Sequence, residues 1–473
     1  MKRIVDINYY IFLVVTVLVG VFLRLKLYVL DFGLHHDEAN LALNLMNHSY
    51  LDFFMALDRN QVAPVLFMIL SKFIYSMVKV NYTANFSDHV LRFLPLCSGI
   101  ITMPAFVYLL NRFFKDKIVN LIGAFGISFS VPLVFYSNVF KQYSTEVLIS
   151  IVILIAMLNS DFSNKKKTII TFAIIGLSPF ISLSSVFILG GIFLYLIYIY
   201  LKEKNKNVLY SIVALLVPVL IFCSGIFPQL LEKSYQQMFD FWQEAFKLSF
   251  SDYLLEFFYH FIKIDGKALV ILPVYTIISC FLILFRNKKL FFLTVLPFLF
   301  VYLAGYFYYY PLETRLVLFI YPSFLIILLF PIKLLNLSKY YWIRCVFYVF
   351  FVAFLMKSIN TLPITETLIL KPDYGLKLWK EFYDSYDNET PVIFAGSINT
   401  QRYYVKFFPV KKVIKIKNWK KQYEQIPKGT YYILSNYDKA NNEELKNKIL
   451  SKAKVYEYRI PEGNKGFYIK FEK

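Results

Sequence analysis

Four consecutive ionisable side chains, His35, His36, Asp37 and Glu38, open the stretch HHDEANLALN just past an apolar run, in a chain with only 5 histidines among 473 residues. A carboxylate in such a place can take the proton of an attacking hydroxyl, or ligate a divalent cation together with neighbouring imidazoles. The plain alternative is a solvated edge whose acids do nothing, since exposed acids are common at membrane borders. Arg24, Arg92, Lys141 and Arg315 each stand near the end of an apolar run. Guanidinium and ammonium groups clamp phosphoryl oxygens, so a converging set of them would hold a phosphate; singly, each serves equally well as a snorkelling contact to lipid headgroups. Three stretches, LDRNQVAPVLF (57–67), SNVFKQYSTE (137–146) and YYYPLETRLVLFIYP (308–322), add Gln61, Tyr143, Glu146, Tyr310 and Glu313, which with His36 are candidates to line a pocket. The tyrosines have an alternative as an interfacial aromatic belt. His260, in the aromatic stretch SYQQMFDFWQEAFKLSFSDYLLEFFYH (234–260), completes a candidate metal set with Asp37 and His36, although a lone histidine on an interfacial helix is more often structural.

These residues need elements to hold them, and composition says which. With 58% hydrophobic and only 17% charged residues, the chain is a polytopic membrane protein. Its net charge of +20 sits largely in short loops between apolar runs, a topology signal and not a nucleic-acid groove. The cysteines, Cys97, Cys223, Cys280 and Cys345, are widely spaced and form neither a disulfide pattern nor a metal motif. Spans are expected over 9–30, 91–111, 118–136, 144–159, 168–183, 185–201, 208–227, 268–285, 290–306, 315–332 and 341–358, eleven in all. The run 62–80, with Pro64 at its start and Lys72 inside, is expected to lie in the interface or re-enter without crossing. With the N-terminus cytoplasmic, every basic short loop then falls inside. The loops 31–90 and 228–266 and the tail fall outside, together with the polar residues named above.

Beyond residue 360 the long apolar runs end and a soluble domain, 361–473, is expected, following a transmembrane domain of 1–360. Helices near 375–386, 399–407, 419–425 and 441–453 alternate with strands PVIFAGS, KKVIKIK, GTYYILSN, KVYEYRI and GFYIKFE, the pattern of a small three-layer α/β module. Its basic excess favours an anionic acceptor or a lipid surface, with a merely solvated basic face as the alternative.

The order RLKLYVLDFGLHHDEANLA, QVAPVLF, LRFLPLCSGIITMPAFVYLLNRFF, FKQYSTE and YPLETRLVLFIYP resembles the bacterial members of glycosyltransferase family 39 over about residues 20–325. That group lies in the C-type membrane glycosyltransferase superfamily, with the protein O-mannosyltransferases and the aminoarabinose transferases of lipid A. The resemblance implies a C-type fold of about eleven transmembrane helices plus interfacial ones, with the small α/β domain outside the cytoplasm of a bacterial cell. It also implies a hexosyl or pentosyl transferase that moves a sugar, with inversion, from a polyprenyl-phosphate carrier to a lipid, protein or cell-envelope glycan on the extracytoplasmic face. Asp37 matches the family's essential acid, as base or metal ligand, with Glu38 its companion. Lys141 and Arg315 stand in the motifs expected to meet the lipid phosphate, and Arg24 matches an arginine that closes the first span. A divalent cation is used by some relatives and not by others. This chain departs from the family pattern in carrying His35-His36 before the acidic pair, where an aromatic residue is usual, and Gln61-Val62 where a histidine or lysine often precedes the proline. A multi-span lipid or glycolipid transporter or flippase is the alternative from another class, but it predicts internal repeats and charges at the membrane midplane, not at the outer ends of spans.

Overall fold

The computed structural model describes residues 2–29, 33–78, 88–232, 267–334, 376–395, 402–408, 410, 412–415, 426–435, 446–451, 453–459 and 467–473. The chain gathers into two compact units. A helical unit comprises Met1–Tyr28, Ser49–Ser71 and Arg92–Pro363, and a mixed unit comprises Val29–His48, Lys72–Leu91 and Ile364–Lys473.

The helices in chain order are α1 (Lys2–Val29), α2 (His36–Asn47), α3 (Val65–Met77), α4 (His89–Phe114), α5 (Lys117–Phe129), α6 (Val131–Tyr136), α7 (Tyr143–Leu158), α8 (Lys165–Gly176) and α9 (Ser185–Glu203). They continue with α10 (Lys206–Leu231), α11 (Lys267–Arg286), α12 (Lys288–Tyr306), α13 (Tyr321–Leu334) and α14 (Leu376–Ser385). Five segments are long and apolar enough to cross a bilayer: Tyr9–Val29 of α1, then α4, α9, α10 and α12. Four more expected spans fall on the shorter apolar helices α5, α7, α11 and α13, the span expected over 168–183 falls on the 12-residue α8, and the one over 341–358 lies outside the described residues.

Two boundaries differ from expectation. The run 118–136 divides at Ser130 into α5 and α6, with Pro132 opening the second piece, where a missing N–H costs nothing. The helix expected from 315 begins only at Tyr321, just before Pro322; ahead of it Leu318–Ile320 form a short 3₁₀ turn, which leaves Arg315 on a loop. Helix α3, at 13 residues, is about 20 Å long, less than a bilayer core of about 30 Å.

Within the helical unit α13 is the centre: every residue from Tyr321 to Phe330 is buried. By contrast α1 leaves Phe12, Leu18 and Phe22 exposed, as a helix bordering lipid should. Small residues permit the close crossings: a Cβ added to Gly20 would stand 2.6 Å from Met103 Sδ of α4, and one added to Gly191 of α9 would stand 2.3 Å from the Phe292 carbonyl of α12.

The mixed unit is built on one five-stranded sheet of order β2-β1-β3-β5-β4, from β1 (Val392–Ala395), β2 (Val413–Lys415), β3 (Thr430–Ser435), β4 (Lys454–Arg459) and β5 (Phe467–Glu472). The first three strands are parallel, and β5 pairs antiparallel with both β3 and β4. Strand alternation sorts the side chains. Ile433 and Tyr431 of β3 join Ile393, Ile469, Phe471 and the helical Ile449 on one face. On the other, Tyr432 and Tyr468 meet Phe382 of α14, at centroid distances of 5.4 and 5.6 Å. This is the three-layer module read from the sequence; the helix expected over 419–425 lies outside the described residues.

Candidate functional site

The stretch 140–146, FKQYSTE, has the least ordinary burial in the helical unit. Phe140, Lys141, Gln142, Tyr143, Ser144, Thr145 and Glu146 are all buried, six of them polar, at the start of the apolar helix α7. Polar groups taken out of water must find partners or be costly, and in membrane helices they mark function by default. Lys141 Nζ donates to Gln61 Oε1 at 2.6 Å, and Gln61 Nε2 donates onward to the Arg59 carbonyl at 3.3 Å. Arg59 and Asn60 both take left-handed backbone angles, with φ of 60° and 55°, so the loop that presents Gln61 is locally strained. The Arg59 Nε and Nη1 are buried without a hydrogen-bond partner. So are Gln142 Oε1, Asn138 Oδ1 and Ser144 Oγ in the neighbouring stretch.

Two further links connect this stretch to the loop before α13. The Tyr143 ring meets Tyr136 edge-on at 5.2 Å, and the Tyr136 hydroxyl lies within electrostatic range of Arg315 and Glu313. Glu146 takes hydrogen bonds from Ser184 and from the backbone at Leu183 and Ser184, just before α9. Tyr310 packs on Phe187 of α9 at 5.1 Å and donates to the Leu316 carbonyl at 2.7 Å. Burial pushes the Tyr310 phenol well above its usual range, with Glu146 and Tyr143 adding to the rise, so it is a permanent donor. Thus the helical unit brings together Gln61, Lys141, Tyr143, Glu146, Tyr310, Glu313 and Arg315 by pairwise links. Arg92 is buried in α4.

Arg24 is placed otherwise. Its guanidinium is fully buried and donates through Nη1 to the carbonyls of Gly20 and Ser128, both at 3.0 Å, and through Nη2 to that of Ile127 at 3.2 Å. The last carbonyls of α5 have no helical partners, and Arg24 supplies them. It acts as a tie between α1 and α5.

In the mixed unit, the cluster that opens α2 separates into distinct roles. His35 is the N-cap: its Nδ1 accepts from the Asp37 N–H at 3.4 Å, and Glu38 Oε2 accepts from the His35 N–H at 3.0 Å. Glu38 is therefore the reciprocal partner of a capping box and is buried, whereas Asp37 is only half-buried, in the first turn where the helix dipole favours its charge. His36 Nε2 is 3.2 Å from Asn40 Nδ2. Asp37 and His36 supply two donors, fewer than a divalent cation takes. No group of three His, Cys, Asp or Glu side chains among the described residues could hold a metal, and His260 lies outside those residues.

Two contributors, Arg59 and Asp88, carry little signal in the sequence. Arg59 lay in a quoted stretch but at no span end; its signal was being a basic residue in a loop expected outside. Asp88, fully buried, accepts from Tyr403 Oη at 3.0 Å and Tyr404 Oη at 2.9 Å. Its only sequence signal is its place just before α4, where acids often start helices.

No protein-family model and no curated protein matches the chain. Among solved structures it is similar to ArnT from Cupriavidus metallidurans bound to undecaprenyl phosphate, with 10% identity, a TM-score of 0.58 and 98% of each chain covered. It is also similar to the same protein in the apo state, with 12% identity, a TM-score of 0.58 and the same coverage. Likeness over the full length shows the fold: this chain shares the fold of ArnT, in agreement with the fold that the ordered motifs imply.

Proposed function

We propose that the protein is an integral-membrane glycosyltransferase that passes a sugar from a polyprenyl-phosphate-linked donor to a hydroxylated acceptor on the extracytoplasmic face. The observation that carries this reading is the run of buried polar side chains from Lys141 to Glu146 at the start of α7, with Lys141 hydrogen-bonded to Gln61, in a chain whose fold is that of a protein that binds undecaprenyl phosphate. The guanidinium nitrogens Nε and Nη1 of Arg59, buried without a hydrogen-bond partner in the loop that presents Gln61 to Lys141, suit a ligand that brings negative charge.

In this reading Lys141, Arg315 and Arg59 receive the donor phosphate, and Arg92 adds to the positive field. As the acceptor hydroxyl oxygen forms its bond to the anomeric carbon, the bond from that carbon to the phosphate oxygen breaks. The electron pair leaves with the polyprenyl phosphate, whose developing charge the cations stabilise. Asp37 takes the acceptor proton as general base, and a single displacement from the face opposite the leaving phosphate inverts the anomeric carbon. Gln61, Tyr143, Glu146, Tyr310 and Glu313 line the donor side, and His36 stands beside the base. Glu38 keeps Asp37 in place by holding the first turn of α2, and Arg24 is left to structure. The positive-inside pattern of the basic loops supports an active face away from the cytoplasm.

The test is to purify the protein, supply radiolabelled polyprenyl-phosphate pentoses and hexoses with lipid, protein and envelope-glycan acceptors, and compare wild type with Asp37→Asn. Transfer by wild type and its loss in a folded Asp37→Asn variant is the expected result; equal transfer by both would remove Asp37 from the chemistry.

A further inference from the structure

The mixed unit contains a buried carboxylate that the proposed chemistry leaves unused. Asp88 has no exposed surface, and each of its oxygens accepts one phenol proton: Oδ1 from Tyr403 at 3.0 Å and Oδ2 from Tyr404 at 2.9 Å. The Tyr404 hydroxyl, its proton committed to Asp88, accepts in turn from the Leu34 backbone N–H at 2.8 Å. The direction of this chain is forced, because a backbone N–H can only donate. It runs from Leu34 through Tyr404 to Asp88, and Leu34 immediately precedes the N-cap of the helix that carries Asp37.

The far end of the same helix is also held. Lys406 Nζ donates to the side chain of Asn47, the last residue of α2, at 2.5 Å, and Lys72 Nζ donates to the carbonyls of Leu45, at 3.1 Å, and His48. The segment 402–408 therefore touches α2 at both ends. It is itself fixed by rings: Tyr404 lies 6.1 Å from Trp379, and Tyr403 lies 5.1 Å from Phe407. Burial pushes the Tyr403 phenol well above its usual range, with the Asp88 charge and Tyr404 adding, so it stays a donor throughout the working pH range.

We infer that the C-terminal α/β module is the positioning device for the helix that carries Asp37, with Tyr404 and Asp88 as positioning residues acting through the Leu34 amide. The inference rests on the reading of Asp37 as the reacting base, but its geometric half does not. A general base works within a few tenths of an ångström of its target, and displacement by about 1 Å costs on the order of a hundredfold in rate. A helix start tied to a buried carboxylate through one phenol is held against such displacement. Losing that single hydroxyl loosens the first turn while the ring still fills its place.

Hydrogen exchange read by mass spectrometry on the full-length protein in detergent, together with sugar-transfer kinetics, tests this. In Tyr404→Phe the peptide covering 33–40 should exchange about tenfold faster, with β3 and β5 unchanged, and kcat should fall by about tenfold to a hundredfold while KM for the polyprenyl-phosphate sugar stays within about twofold. Tyr403→Phe, which leaves the Leu34 link in place, should show a smaller change in both. Asp88→Asn, whose carboxamide has one acceptor oxygen, should fall on the Tyr404→Phe side. Wild-type exchange over 33–40 in both Tyr404→Phe and Asp88→Asn overturns the proposal, as does loss of protection throughout the module with no selective change at 33–40. If wild type itself transfers no sugar, the transferase reading fails, and the exchange pattern still decides whether the module holds the helix.

Discussion

Both units bury polar side chains, but they treat them differently. The Asp88 cluster is closed, a carboxylate taking two phenols and one phenol taking an amide, although Asn40 Oδ1 and Trp379 Nε1 of the same unit are buried without a hydrogen-bond partner. Around 138–146 and Arg59, buried atoms of Asn138, Gln142, Ser144 and Arg59 are left without one. A satisfied polar network rigidifies, whereas a set of unsatisfied atoms is costly and is kept where something else binds. The contrast sets a closed tie, the Asp88 cluster of the mixed unit, against an open polar stretch, 138–146 with Arg59, in the helical unit; on the proposed reading the first is scaffold and the second receives the donor.

The sharpest way to break that contrast is with Asp37, which belongs to the scaffold by position and to chemistry by exposure. Asp37→Asn should lower sugar transfer by about 10²- to 10⁴-fold, the usual contribution of a general base, with the melting temperature unmoved. Next come two changes that should act oppositely. Asp88→Ala leaves two phenols buried without their acceptor and should cost about 2–5 kcal/mol of stability, read by denaturant or thermal unfolding, with undecaprenyl phosphate binding intact in the folded fraction. Lys141→Ala should weaken undecaprenyl phosphate binding by about 1.5–3 kcal/mol, read by titration, and cost little stability. If Lys141→Ala unfolded the protein and Asp88→Ala spared it, the division between receptor and scaffold would be inverted. A smaller effect is expected from Gln142→Leu. Replacing a buried amide whose oxygen has no partner should change stability by less than about 1 kcal/mol, while KM for the sugar donor worsens.

The smallest effect tests the scaffold at its surface. Asp387 accepts from Lys470 at 2.6 Å and from the Thr390 amide and hydroxyl, each at 2.8 Å. Partial burial works against its charge, but Lys470 and Thr390 outweigh it and hold the carboxyl well below its ordinary value. A lowered folded pKa gives stability that is present above the unfolded value of about 4 and is lost as pH falls toward the folded one. Because the pair is partly exposed, Asp387→Asn should cost less than about 1 kcal/mol at neutral pH, and nothing once the acid is protonated.

Much of this was legible in the chain. The apolar runs located the helices, and alternation located all five strands of the module, because each of those signals is local. The start of α13 was misplaced because apolar composition continues through Leu316–Ile320 while the backbone turns ahead of Pro322. Glu38 looked like a catalytic companion because its cap partner is a histidine and not one of the usual Ser, Thr, Asp or Asn. Arg24 looked like a phosphate ligand because sequence cannot show which carbonyls a helix end leaves open. The Asp88 group was illegible for a different reason: its partners stand 315 and 316 positions away, and no short pattern spans that distance.

That separation also sets an order in time. At a synthesis rate of 5–20 residues per second, Asp88 emerges about 15–60 s before the tyrosines that close on it. Until then the Leu34 amide, just before the helix bearing Asp37, lacks its Tyr404 partner. On the proposed reading, synthesis of the C-terminal module would then set the base in place last.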